Sequence, residues 1–238
     1  MEQIILNKKG NSVLEIKKDT RIVEKEAENV LLKIDSNVNV EYIIINKNAN
    51  NVSRNAELKK DSHILWIDVN INSTNSSIKT EINGENSSSI TKSLFIGDSV
   101  ANIETTHNAE NTKSELMTKC VLFNNNKDKI KGLIRINRNA KNSKGKQKKE
   151  ILLLGENIQI ETAPNLEIKN NEVECSHGCS IENINEDSLF YLMSRGLNEI
   201  DAKKEIIRGF MNSVVSDLDV ELLNEVNIEI NKKLETLK

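Results

Sequence analysis

Short stretches in which apolar and polar residues alternate follow one another through the first three quarters of the chain. Side chains two positions apart share one face of a β-strand, so this alternation is typical of strands with one buried face. Clear examples are Val38/Val40/Tyr42/Ile44, Ile67/Val69/Ile71, Ile78/Thr80/Ile82, Leu116/Thr118/Cys120/Leu122 and Ile130/Gly132/Ile134/Ile136. Polar segments such as 83–86 and 124–128 separate them, and their Asn and Asp residues tolerate the left-handed backbone of tight corners. The pattern predicts many short strands joined by sharp turns.

The alternation does not select one architecture. Many short strands with polar corners are compatible with a sandwich, a barrel or a β-solenoid. The sequence shows no repeat of fixed length that would favour the solenoid. On the residues alone, these three architectures remain open.

The pattern changes after Ile184. Asn185 is placed to cap a short helix at about 186–195, because an Asn side chain can accept a hydrogen bond from the first free backbone N–H groups. Gly196 follows at the position where glycine commonly ends a helix. We therefore predict a short helix between these two residues.

Two longer helices are predicted after it, capped by Asn198 and Asp219. The first of them carries an apolar stripe with the 3.6-residue period of a helix. The stripe consists of Ala202, Ile206, Ile207, Phe210, Met211, Val214, Val215 and Leu218. We predict two parts, a β core at 1–184 and a C-terminal helical subdomain at 185–238.

Composition restricts the class of protein. The chain has 238 residues, a net charge of −3 and only 3% aromatic residues, which argues against a nucleic-acid surface. Three cysteines without a disulfide pattern favour a reducing compartment. The first residues lack the apolar segment of a signal peptide, and no apolar run reaches the roughly 18 residues of a membrane span. We expect a cytoplasmic protein with neither a nucleic-acid nor a membrane partner.

Several conspicuous residues are interpreted as structural. The basic run at 141–149 is predicted to be a solvated loop, because the chain is acidic overall and no aromatic residues are interleaved. His63 and His107 are interpreted as ordinary surface or corner histidines. Cys120 and Trp66 alternate with apolar neighbours and are predicted to lie in the core.

Two of the three cysteines and one of the three histidines lie within five residues, at Cys175, His177 and Cys179. On an extended segment these three side chains point the same way. Thiolate and imidazole suit borderline metals, including iron in Fe–S centres. Taken alone, the cluster is better explained by a short strand with buried thiols and a hydrogen-bonded histidine, because free cysteine commonly behaves as a small buried hydrophobe.

A series of short motifs surrounds this cluster between 164 and 210. In order they are Pro164-Asn-Leu-Glu-Ile168, Asn170-Asn-Glu-Val173, Cys175-Ser-His-Gly178, Leu189-Phe-Tyr-Leu192, Ser194-Arg-Gly196, Ala202 and Gly209-Phe210. In order and spacing this series resembles the SufB/SufD family of Fe–S cluster assembly scaffold proteins. The resemblance extends upstream, with lower specificity, through 54–70, 107–114, 119–122 and 132–136.

The resemblance implies a mostly β fold, a right-handed β-helix (β-solenoid) core followed by a C-terminal α-helical subdomain. It implies a scaffold subunit that is not an enzyme and that holds a transient Fe–S cluster. ATP would be used only by a partner, a SufC-type ABC ATPase that docks on the C-terminal helices. The other implied partner is a second scaffold subunit, in a homodimer or a SufB/SufD-like heterodimer.

The same resemblance assigns site residues. Cys175 and His177 match the family motif, and Cys179 joins them only because alternation places it on the same face. These three are predicted to bind the nascent cluster at a dimer interface. The residues predicted to bind the ATPase are Leu189, Phe190, Tyr191, Arg195, Gly209 and Phe210. We expect part of the apolar stripe to pack on the β core and the exposed remainder to bind the ATPase.

The chain departs from the SufB pattern at the site. SufB-type chains carry Glu-His-Glu where this chain has Ser176-His177-Gly178, and they carry cysteines near Ser93 and Lys149. The chain is thus SufD-like here, and we expect a compact form of the fold without the N-terminal region that larger members carry. One alternative is a SufD-like structural partner that stabilises a separate SufB without binding metal. Another is a polysaccharide-active β-solenoid enzyme, which the low aromatic content disfavours.

Overall fold

A computed structural model describes residues 1–7, 10–47, 51–71 and 74–235. The strands in these ranges are β1 (Glu2–Asn7), β2 (Asn11–Ile16), β3 (Thr20–Glu26), β4 (Asn29–Ile34), β5 (Asn39–Asn46), β6 (Asn51–Leu58), β7 (His63–Ile71), β8 (Thr74–Ile82), β9 (Ser88–Ile96), β10 (Ser99–His107), β11 (Lys113–Phe123), β12 (Lys127–Ile136), β13 (Ser143–Leu154), β14 (Gln159–Ile160), β15 (Ala163–Ile168) and β16 (Val173–Asn183). The helices are α1 (Glu186–Ser194), α2 (Glu199–Val215) and α3 (Val220–Glu235).

Alternate strands enter two parallel sheets. Sheet A has the order β1-β3-β5-β7-β9-β11-β13-β16. Sheet B has the order β2-β4-β6-β8-β10-β12, and both β14 and β15 pair with β12. A strand of sheet A and the next strand of sheet B form one rung, and the interior is the space between the sheets. The predicted mostly β fold, a β-helix core followed by helices, is confirmed.

Asparagines mark the corners where the chain turns from one sheet to the other. Left-handed backbone residues stack there from rung to rung, and the N–H of each donates to a carbonyl of the next rung. The stack is Asn37, Asp61, Asn86, Asn111 and Asn142. Stacked side-chain partners are 18 residues apart in the first rungs, 25 in the middle and 31 near the last. Because the rungs lengthen along the chain, the sequence shows no repeat of fixed length.

Helices α2 and α3 cover the outer face of sheet A. Their apolar side chains form one buried cluster with outward residues of the strands, including Ile67, Val69 and Ile71 of β7. On the other face of β7, Trp66 and Asp68 are buried in the interior. The prediction that each strand buries one face is therefore wrong for the middle of sheet A, which is buried on both.

The helix ends follow the sequence prediction. Asn185, Asn198 and Asp219 each accept a hydrogen bond from the backbone N–H three residues further on, at 2.8 to 2.9 Å. Gly196 adopts a φ of 98° after α1, which is the left-handed conformation that glycine allows at a helix end. Within the described part of the chain, no helix is long and apolar enough to cross a membrane.

Two sequence interpretations need correction. The basic run at 141–149 is not a loop but mostly strand β13, in which Lys144, Lys146 and Lys148 are exposed. Lys149 instead points into the interior, because residues alternate along the strand. His107 does lie at a corner, but its side chain is completely buried rather than at the surface.

Candidate functional site

The last rung of the β-helix leaves its inward side chains uncovered. Strands β15 and β16 pair with β12 and β13, and no further strand lies beyond them within the described residues. Their inward residues are Pro164, Leu166, Ile168, Val173, Cys175, His177, Cys179 and Ile181. We call these eight residues the open end. A side chain here can meet a ligand or another protein chain.

The three predicted ligands lie on this inward face. Strand β16 runs parallel to β13 in unbroken register. The register partners are Cys175 with Gly145, His177 with Gln147, and Cys179 with Lys149. All three partners in β13 are buried in the interior. The extended conformation on which the prediction depended is therefore present, and the structure aligns the three side chains along one strand.

Cys175 is half-buried at the edge of the interior. Burial raises the pKa of its thiol, and a hydrogen bond from the Gly145 backbone N–H opposes that rise. Gly145 also makes room for the sulfur, since a Cβ at Gly145 would lie 3.3 Å from Cys175 Sγ and 3.0 Å from Ile134 Cγ2. The thiol is held protonated, and it must lose its proton to bind a metal.

The His177 ring is exposed and oriented by the neighbouring sheet. Its Nδ1 lies 3.1 Å from the carbonyl oxygen of Pro164 in β15. A carbonyl only accepts, so Nδ1 carries the hydrogen and donates it, and Nε2 of the neutral ring keeps a free lone pair. Metal-binding histidines are commonly held this way by a backbone carbonyl. Gly178 beside it is open, with nothing within 4 Å of the place where a Cβ would stand.

Cys179 lies next to a buried ion pair. Its register partner Lys149 contacts Asp128, and both side chains are almost completely buried. The Cys120 thiol also donates a hydrogen bond to Asp128. Burial raises the pKa of Cys120 well above its usual range and also raises the pKa of Asp128. Cys120 is thus a core residue, as predicted, and its thiol is protected from reaction.

The three predicted ligand side chains stand side by side on β16 rather than around one point. Alternate residues on a strand have Cα atoms about 6.6 Å apart, whereas the ligand atoms of one ion at 2.0 to 2.3 Å lie within about 4 Å of each other. Within the described ranges, no three His, Cys, Asp or Glu side chains converge on one point. The open end therefore presents separate ligand groups, which a second chain or a multinuclear cluster could join.

Residues 6–210 match the family model described as SUF system FeS cluster assembly, SufBD core domain. The chain belongs to the SufB/SufD family. An iron-sulfur cluster assembly SufBD family protein of Mycobacterium leprae is 29% identical over 206 residues, which are 82% of this chain and 24% of that protein. One from Staphylococcus aureus is 27% identical over 212 residues, or 85% of this chain and 46% of that protein. The chain spans less than half the length of these curated relatives.

In this SufB/SufD chain, four of the residues predicted to bind an ATPase lie on helix α1 or at its C-terminal end. None of the side chains of α1 is buried. Phe190 and Tyr191 are 74% and 57% exposed, and Leu189 beside them is half-buried. The Arg195 guanidinium lies 5.2 Å from the centre of the Tyr191 ring, within cation–π range. Together these four residues form an exposed aromatic patch, which we call the α1 patch.

The two predicted residues on α2 differ from the α1 patch. Gly209 is exposed, and nothing lies within 4 Å of the place where its Cβ would stand. Phe210 is half-buried, with the Lys119 ammonium 4.4 Å from its ring centre. Lys119 also donates to the Phe210 carbonyl at 2.8 Å. Phe210 thus already has an intramolecular contact, and most of the apolar stripe of α2 is buried against sheet A.

A buried charge cluster that was not predicted from the sequence lies inside this SufB/SufD core. The Arg54 guanidinium forms hydrogen bonds with Glu24, and the Tyr42 hydroxyl donates to Glu24 at 2.7 Å. Asp68 is fully buried nearby, where the Arg54 guanidinium and the Asn70 side chain are the polar groups that favour its charged form. Burial raises the pKa of Asp68 to about 6, against the opposing effect of Arg54. The sequence signal for this cluster is the position of Arg54, which shares the buried face of β6 with Val52 and Ala56.

Proposed function

We propose that this chain is a cytoplasmic scaffold subunit of the Suf machinery that assembles and transfers nascent Fe–S clusters with a SufC-type ATPase. The observation that carries the proposal is the open end. There His177 has a free Nε2, and the thiols of Cys175 and Cys179 lie on the same uncovered face. The cluster is the cargo of the protein, so a site accessible from outside suits its release. The chain itself would not hydrolyse ATP.

A second scaffold subunit would complete the site. The predicted ligand residues of β16 have Cα atoms about 6.6 Å apart, and an Fe–S cluster usually takes four thiolate or imidazole ligands. A partner that covers the open end would bring its own ligands to His177 and Cys175. The apolar rim supports such a contact, because Ile168 and Ile181 are 46% and 51% exposed. The partner would be a second copy of this chain or a SufB-type subunit.

The SufC-type ATPase would dock on the α1 patch. Its exposed aromatic side chains suit insertion into a groove of a partner, as hot-spot residues do at interfaces. The patch follows directly on β16, whose residues 175–179 carry the site. Movement of α1 by the ATPase would therefore be transmitted to the strand that holds the ligands.

The site is tested with His177→Ala and Cys175→Ser in the complex with a SufC-type ATPase. Both variants are reconstituted with iron and sulfide without oxygen, and cluster content is read from visible absorbance. We expect each variant to hold and transfer less cluster than the parent. His63→Ala is the matched control, because His63 is an exposed histidine far from the open end. Parent-like assembly by both variants would refute the site.

The docking surface is tested by co-purification with the same ATPase. We expect Phe190→Glu with Tyr191→Ala to abolish co-purification, because the double variant removes the two most exposed aromatic rings of α1. Val220→Glu is the control, since Val220 is 76% exposed on α3. ATPase binding that survives in the double variant, or that is lost equally in the control, contradicts the assignment.

A second candidate is a SufD-like partner that stabilises a SufB without binding metal. Ser176 and Gly178 flank His177 where SufB-type chains carry glutamates, and the interior position of Lys149 holds an ion pair with Asp128. This candidate predicts that His177→Ala leaves cluster assembly by a SufB-containing complex unchanged. The reconstitution repeated with a SufB-type subunit present therefore separates the two candidates.

A further inference from the structure

Gly132 opens a gap that the side chain of Gln147 fills. Gly132 lies on β12 in sheet B, and Gln147 lies across the interior on β13 in sheet A. A Cβ at Gly132 would stand 1.8 Å from Gln147 Nε2 and 2.8 Å from its Cδ. Any side chain larger than glycine would therefore displace the carboxamide. The side chain of Gln147 crosses the interior because this one position lacks a Cβ.

The pair is repeated one rung further on, at the open end. The register joins Gln147 to His177 in sheet A and Gly132 to Pro164 in sheet B. As Gln147 reaches across to Gly132, the His177 ring reaches across to the Pro164 carbonyl. Register partners in adjacent strands lie about 4.8 Å apart. The carboxamide of Gln147 therefore forms the floor beneath the imidazole of His177.

Gln147 Oε1 is an acceptor without a partner. The residue is only 7% exposed, and within the described part of the chain no donor lies within hydrogen-bond distance of Oε1. A buried acceptor left unpaired costs about 1 to 3 kcal/mol, so such groups usually have a partner. Gln147 lies in the rung directly beneath the open end, as the register partner of His177.

We propose that Gln147 is a positioning residue of the open end, whose Oε1 accepts a hydrogen bond from a water or hydrosulfide on a ferrous ion bound at His177 Nε2. This inference rests on the proposed function, because it needs iron to bind at His177. Water bound to a metal cation is a stronger donor than bulk water, since the cation polarises its O–H bonds. Gly132 acts through Gln147 by keeping the carboxamide in place.

The test is calorimetric titration of the full chain with ferrous ion alone, without oxygen. Gln147→Leu and Gln147→Met keep the size of the side chain and remove the acceptor, and Gln147→Glu keeps an acceptor at the same place. We expect a loss of affinity of about tenfold or more in the first two, as for other groups that support a metal ligand. Gln147→Glu should bind at least as tightly as the parent. Glutamate also keeps the shape of glutamine, so Gln147→Met, which fills the space without an acceptor, separates the hydrogen bond from packing.

Gly132→Ala provides an independent test of the role of Gln147. It should weaken ferrous binding as Gln147→Leu does, and the double variant should be no weaker than either single variant. Lys146→Gln is the control, because Lys146 is exposed on the other face of the same strand. If Gly132→Ala does not fold, as judged by circular dichroism, the Gln147 variants decide.

The outcomes separate this inference from the proposed function. If the parent and His177→Ala bind ferrous ion equally, the iron site itself is wrong. If His177→Ala loses binding but Gln147→Leu and Gln147→Met bind like the parent, the site stands and the role of Gln147 is refuted. Equal losses in Gln147→Leu and Gln147→Glu would also refute it.

Discussion

His107 links protonation of one side chain to the stability of the whole β-helix. Its ring is completely buried, with Nδ1 and Nε2 each 2.7 Å from a hydroxyl oxygen, Thr112 Oγ1 and Ser114 Oγ. Burial lowers its pKa to about 4 from the ordinary 6.5. The unfolded chain takes up the proton first as the pH falls. Stability from neutral His107 is therefore complete above pH 6.5 and is lost as the pH falls toward 4.

We predict that the contribution of His107 to the free energy of unfolding falls by about 2 to 3 kcal/mol across this window. Urea unfolding of the parent and of His107→Gln at several pH values measures it. The difference in the free energy of unfolding between the two should change by that amount from pH 7 to pH 4, whatever its value at neutral pH. His63→Gln, which removes an exposed histidine, should keep the dependence of the parent. A pH dependence in His107→Gln equal to that of the parent contradicts the prediction.

The contribution of Asp68 to stability changes with pH in the opposite direction to that of His107. Its pKa is raised to about 6 by burial, so the folded state binds a proton that the unfolded state has already released. Its favourable contribution is present below pH 4 and is lost as the pH rises through 6. Asp68→Asn should therefore stabilise the protein by about 1 to 3 kcal/mol at pH 8 and by little at pH 4. Glu24→Gln should destabilise it at pH 8, because it leaves Arg54 without its charged partner. Lower stability of Asp68→Asn at pH 8 would show that the carboxylate stabilises the fold.

The stack of left-handed residues at the corners joins each rung to the next. Asn111 has a φ of 57°, and its Oδ1 accepts from Asn142 Nδ2 at 3.3 Å. Left-handed backbone costs other L-residues about 1 to 2 kcal/mol. We predict that Asn111→Ala lowers the free energy of unfolding by about that amount and that Asn111→Gly lowers it less. Urea unfolding checks this, with Asn102→Ala on a strand as control. Equal losses in Asn111→Ala and Asn111→Gly would contradict the conformational argument.

Strands, corners and helix caps could be predicted from the sequence because each depends on residues close together in the chain. Alternation also placed Cys175, His177 and Cys179 on one face. The packing of helices on Ile67, Val69 and Ile71 could not be predicted, because a strand residue buried by a helix looks like any other apolar residue. Pro164 and Gln147 were missed for a related reason. They meet His177 through the register of separate rungs, which lengthen along the chain and leave no local signal.

At the scale of the whole molecule, the division at 184/185 into a β core and a helical subdomain stays a prediction. The boundary lies between β16 and α1, but α2 and α3 share a buried cluster with sheet A. Deleting 185–238 would expose that apolar face to water. We expect the truncated chain to aggregate or to lose its cooperative unfolding transition, as measured by gel filtration and circular dichroism. A folded, monodisperse 1–184 would show two separable domains.

The open end is a large uncovered part of the described molecule. It differs in this from the outer face of sheet A, which helices α2 and α3 cover. Among the described residues, no further rung covers strands β15 and β16. Their inward side chains and unpaired strand edges are therefore available for contact with another chain. If a second scaffold subunit covers it, Ile168 and Ile181 become buried. A glutamate at either position would then lose its hydration without gaining a partner.

We predict that Ile168→Glu and Ile181→Glu each weaken assembly of the scaffold pair by at least about tenfold, which corresponds to 1.4 kcal/mol. The pair is formed with a second copy or with a SufB-type subunit, and sedimentation without oxygen measures its dissociation. Ile228→Glu is the matched control, because Ile228 is 54% exposed on α3, away from the open end. The two open-end variants should also hold less cluster, since the same contact brings the ligands of the partner to His177. Unchanged dissociation in both, or an equal loss in the control, would place the subunit contact on another surface.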